Sequence, residues 1–128
     1  MKYYYEKSLH GEFGFAVDKV KESLANEGFG VLTEIDVRKT FKNKLDVDFR
    51  NYVILGACNP LNAYKALTAE DKIGILLPCN VVVQEIKDRV IEVAAVDPAV
   101  VMKVVGNAEL ESVAGEVREK LIRVIDSL

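Results

Sequence analysis

Tryptophan is missing, and 128 residues hold only one histidine, two cysteines and three prolines. A single histidine, His10, cannot build a multi-histidine metal centre, and in its strand-to-helix turn it reads as a solvated loop residue. Basic residues are not in excess: 17 against 20 acidic ones leaves a net charge of -3, without the basic face of a nucleic-acid binder. No long apolar run exists either, because Gly56, Asn59 and Pro60 break the most hydrophobic stretch, so no membrane span is expected. Met1–Lys7 carries no apolar signal core. The thiols of Cys58 and Cys79 are therefore expected to stay reduced in a cytoplasm. Walker loops, nucleophile elbows and His-Glu-x-x-His patterns are absent, and Gly28-Phe-Gly30 follows a helix pattern, which rejects it as a dinucleotide loop. Linkers, low-complexity segments and internal repeats are also missing, so residues 1–128 read as one domain.

What is present is hydrophobic patterning: half of the residues are apolar, enough to bury a core without staples. Residues 2–9 suit an edge strand. Phe13, Ala16, Val17, Val20 and Leu24 keep helical spacing, and Gly28 reads as a left-handed stop with Phe29 folding back. Phe29, Val31, Thr33, Ile35 and Val37 alternate as one strand face, with Glu34 and Asp36 on the other. Residues 38–47 read as a short basic amphipathic helix or a basic hairpin. Phe49–Ala57 is the strongest strand. Asn59 and Pro60 then cap a helix to about Thr68, with Ala63, Tyr64 and Leu67 as its inner face. Ile73–Leu77 reads as another strand, broken by Pro78 and resumed over Val81–Ile86. A tight turn at Lys87-Asp88 leads into Arg89–Val96. Asp97-Pro98 opens a helix that Gly106 ends, and Asn107 caps a last helix with a stripe from Leu110 to Leu128. This order predicts an α+β two-layer sandwich, a mostly antiparallel sheet with helices on one face, over a doubly wound parallel sheet.

Both cysteines are followed by asparagine, and each Cys-Asn pair ends or interrupts an apolar run. The plain reading is that the thiols are small buried hydrophobes and that Asn59 and Asn80 are caps and turn formers. The functional reading puts Cys58, Asn59, Cys79 and Asn80 in one pocket for a small polar or anionic ligand, with Glu34 or Asp36 nearby. Glu34 and Asp36 share a strand face and can pair for acid-base work, or simply be solvated. Cys58 precedes a helix N-terminus, which lowers a thiol pKa and equips it for redox or covalent chemistry. Two cysteines 21 residues apart supply only half of a tetrahedral zinc shell, so no metal site is expected.

Gly28-Phe-Gly-Val-Leu-Thr-Glu-Ile-Asp36-Val, Tyr52-x-Ile-Leu-Gly-Ala-Cys-Asn-Pro60, Ala66-Leu, Ile73-Gly-Ile-Leu-Leu-Pro-Cys-Asn-Val-Val-Val83 and Val96-Asp-Pro98 together resemble the DUF302 family, a domain of unknown function. The resemblance covers nearly the whole chain. It implies a compact α+β fold of the TATA-binding-protein-like group and a homodimer, and it implies no established reaction, substrate, cofactor or catalytic residue. Strands apolar on both faces also point to a homodimer formed through the sheet. Two functions stand side by side: a small-ligand or thiol-dependent domain built on the Cys-Asn pairs, and a non-catalytic homodimeric module whose important surface is the sheet.

Overall fold

Antiparallel pairing sets the architecture. The computed structural model describes residues 2–128. Five strands form one sheet in the order β1 (Tyr4–His10), β5 (Val90–Val96), β4 (Cys79–Lys87), β3 (Tyr52–Cys58), β2 (Gly30–Asp36), and every neighbouring pair is antiparallel. Helices α1 (Phe13–Asn26) and α5 (Ala108–Asp126) cover one face. The fold is the α+β sandwich that the element order predicts.

The helix ends follow local chemistry. Glu12 caps α1 through Gly14 N and Phe15 N. At its far end Gly28 takes φ +83°, a conformation that costs a glycine little, and Phe29 N bonds back to Leu24 O while its ring is buried. Helix α2 (Val37–Leu45) is helical rather than a hairpin, capped by Asp36 through Lys39 N at 2.9 Å. Asn59 caps α3 (Pro60–Ala69), Asp97 caps the one-turn α4 (Pro98–Val101), and Asn107 caps α5. Each of the three sits where a side-chain acceptor meets helix-end amides without partners.

Along α5 the expected stripe is core: Leu110, Ala114, Val117, Leu121, Val124 and Ile125 are all buried. The stripe serves two clusters. Its C-terminal half joins α1 and the sheet through Val20, Leu24, Leu55, Val81, Val83, Ile91 and Val93. Its N-terminal half packs with Ala66 of α3, Ile73 and Met102 in a second, smaller cluster.

Three expectations are corrected. Ile73–Leu77 is not a strand; Asp71–Leu76 forms a 3₁₀ helix that buries Ile73 in the second cluster and leaves Ile75 exposed. Packing overrides the β-propensity of the run. The strand beyond it starts directly at Cys79, after a cis Leu77–Pro78 bond. On α3 the buried residues are Asn62 and Ala66, and Tyr64 is 72% exposed. The small Ala66 and the bonded Asn62 let α3 approach α5, so Ala63 and Leu67 are turned elsewhere. Finally, β2 does not keep one alternation. A bulge inserts Leu32 between Val31, opposite Ala57, and Thr33, opposite Gly56. Beyond the bulge the phase inverts, as one extra residue must do to a period of two. Thr33 and Ile35 consequently join Gly56 and Ile54 on the face away from α1 and α5.

Candidate functional site

The two structural clusters do not close on each other. Between them lies a half-open cavity of about 330 Å³, within the size range of small-molecule sites. Phe29, Ala57, Cys79 and Val117 bring the sheet core to one wall; Ala66, Met102 and Ala114 bring the second cluster to the other. Leu32, ejected by the β2 bulge, and Ala63 and Leu67, turned out of the core by the rotation of α3, complete the lining with Leu77 and Pro78. Apart from Cys79, the sequence singles out none of these residues for a site. Their signal was there: a helix with more apolar residues than its buried stripe uses.

Cys58, Asn59 and Cys79 all line this cavity. The cause is topological. Strands β3 and β4 are antiparallel neighbours, so the 59–78 connection leaves and re-enters the sheet at one end. Cys79 stands opposite Ala57, one residue from Cys58. Cys79 is buried, and that burial, with the nearby Cys58 adding to it, pushes its thiol from 9.0 up to about 11. Cys58 is half-buried, and neither cysteine forms a disulfide. It reaches the helix N-terminus expected for it, one residue before the Asn59 cap.

Asn80 is not in the cavity. Strand β4 is regular from Cys79 onward, so consecutive residues point to opposite faces, and Asn80 is exposed on the other side beside Gly56. Glu34 and Asp36 are not there either. Gly30 is the β2 residue opposite Cys58, whereas Glu34 pairs with Leu55 and Asp36 with Val53, about 10 and 17 Å further along. Glu34 forms an exposed ion pair with Lys21 at 2.5 Å, and Asp36 is spent as the cap of α2.

The lining is almost wholly apolar, and its amides are committed. Asn59 Oδ1 accepts from Asn62 N at 3.2 Å, and its Nδ2 donates to Glu27 O at 3.4 Å. Asn62, 3% exposed, donates to Glu116 Oε2 at 2.9 Å and accepts from Lys120 Nζ at 3.3 Å. Each asparagine side chain on this wall thus already has a protein partner at both its oxygen and its nitrogen. Among the described residues no three His, Cys, Asp or Glu side chains are grouped to hold a metal ion, and no helix is long and apolar enough to cross a membrane.

Sheet, helices and cavity together define an α+β open-sheet sandwich with a small apolar chamber between sheet core and helical annex. A crystal structure of an uncharacterized conserved DUF302 protein from Bacillus stearothermophilus superposes with a TM-score of 0.90 at 26% identity, covering 98% of each chain. The family model for the domain of unknown function DUF302 matches residues 5–128, and the chain belongs to that family. No match was found among curated proteins.

Proposed function

We propose that this domain binds a small apolar molecule in the cavity between its two hydrophobic clusters. The observation that carries this reading is the chamber itself: about 330 Å³ of apolar-walled space in a protein whose buried side-chain polar atoms, among the described residues, are all satisfied. Interiors close-pack, so a void of this size forfeits contacts that a ligand restores. The reduced thiols at its wall suit a cytoplasmic setting and leave thiol chemistry open to a ligand that reaches Cys58. Nile red titrated into the protein is expected to shift its emission to the blue with saturation near one dye per chain. Ala63→Phe, which fills the chamber from a half-buried position, should abolish the shift while leaving the thermal midpoint within a few degrees. Equal dye binding by that variant would place the dye elsewhere and defeat the reading.

A second reading is favoured by the other sheet face, which neither α1 nor α5 covers. Ile35, Ile54, Val82 and Ala94 are register partners in one row across four strands. Such a row suits a homodimer formed through the sheet.

A further inference from the structure

Cys79 and Met102 line the chamber from opposite walls. Cys79, at the start of β4, belongs to the sheet wall together with the buried ring of Phe29. Met102 opens the 3₁₀ helix Met102–Val105 and belongs to the wall of the second cluster. No charged side chain lines the space, and Asn59 and Asn62 already have protein partners, which favours a neutral ligand. We propose that the ligand of this chamber is a compact neutral aromatic molecule, held with its ring system between Met102 on one side and Cys79 and Phe29 on the other. The proposal rests on the apolar-ligand reading above and narrows it from apolar molecules in general to aromatic ones.

A saturated ligand gains from leaving water, and any apolar wall supplies that gain. A ring brings further attractions that these side chains can meet. Divalent sulfur is polarizable and attracts an aromatic ring at about 5 Å, often at the ring edge, which is worth roughly a two- to tenfold gain in affinity. Phe29, 4% exposed, offers its own ring for an edge-to-face or offset contact, the arrangements that aromatic pairs prefer. The two sulfurs need not approach each other, because each meets its own side of the ligand. Burial pushes the Cys79 thiol up to about 11, so at neutral pH the wall presents S–H and not a thiolate, whose charge the negative face of a ring would oppose. Size points the same way. A half-open space of about 330 Å³ lies at the small end of ligand sites and suits a stiff ring system, which orders no internal rotors on entry, better than a long chain.

The test is displacement of Nile red from the whole protein by naphthalene and by trans-decalin, its saturated counterpart of similar size. Transfer out of water alone favours decalin, the less water-soluble of the two, so a preference for naphthalene reports the wall. Naphthalene is expected to displace the dye at about tenfold lower concentration than decalin. Met102→Leu, a swap that nearly conserves volume, and Cys79→Ala should each weaken naphthalene by about two- to tenfold and leave decalin within about twofold. Thermal melting checks that the variants fold; if either does not, the wild-type comparison decides by itself. Decalin displacing the dye at an equal or lower concentration, displacement by neither compound, or variants that weaken both compounds alike would overturn the aromatic inference and leave the apolar-ligand reading standing. Absence of Nile red binding, or binding that survives Ala63→Phe, overturns both.

Discussion

Cys58 and Cys79 are the residues whose environments diverge most for their chemical likeness. Cys79 is 8% exposed and its thiol is pushed up to about 11, so about one molecule in ten thousand carries the thiolate at pH 7. Cys58 is half-buried at the cavity wall. Iodoacetamide at neutral pH should therefore label Cys58 well before Cys79 in the folded protein, as peptide mapping by mass spectrometry will read; matched rates would remove the distinction. The raised Cys79 value also carries a stability consequence. Its folded pKa lies above 9.0, so the fold favours the protonated thiol; the contribution is complete below pH 9 and lost as pH climbs towards 11. Two units correspond to about 3 kcal/mol. Urea unfolding across this window should show wild type losing more stability than Cys79→Ala, with the titrations common to both cancelling. Parallel pH profiles would show that the thiol does not ionise there. At this scale the sequence was half legible. The dipeptides Cys58-Asn59 and Cys79-Asn80 look alike on paper, yet the first straddles a strand end and a helix cap while the second lies wholly within a strand, which sends Asn80 to the opposite face.

Elements were legible wherever periodicity and capping agreed. Helix α5 shows this best: its stripe and its Asn107 cap lie where the residues predict them. Leu121, 1% exposed at the centre of the larger cluster, should cost roughly 2–5 kcal/mol when truncated to Ala, measured by urea denaturation. A loss below about 1 kcal/mol would make the helix peripheral. The bulge in β2 was illegible because alternation cannot announce an inserted residue; only the partner strand reveals that Thr33, not Leu32, stands opposite Gly56. That pairing explains a glycine inside a strand. A Cβ on Gly56 would overlap Thr33 Oγ1 and lie 2.8 Å from Pro78 Cγ. Gly56→Ala should destabilise by roughly 1–3 kcal/mol, the cost of overpacking a closed site. Pairing it with Thr33→Ala should recover part of that loss, and full additivity would mean that the two do not touch.

At the scale of the molecule, the sequence told which layers exist but not what each apolar surplus was for. Residues apolar on both faces of β3 and β4 point equally to a buried sheet and to a sheet with a partner. The structure separates the two faces. Val53, Leu55, Val81 and Val83 are buried under helices, whereas Ile54, Val82 and Ala94 are only half-buried on the uncovered side. Ile35, at the β2 end of the same row, is 46% exposed. A row of this kind spans about 15 Å across the strands and is flanked by Tyr52 and Gln84 in the next register. A second copy of the chain, related by a twofold axis, can lay the same row on itself, which is the geometry of an isologous interface. Light scattering at micromolar concentration should then give twice the 14.2 kDa chain mass. Val82→Glu, at the centre of the row, would bring like charges together across the twofold and should return the monomer while far-ultraviolet circular dichroism stays unchanged. Monomer mass for the wild-type protein would remove the homodimer reading. A dimer indifferent to Val82→Glu would move its interface off this face, and the exposed edge of β2, with Leu32 at its bulge, would become the surface to mutate next.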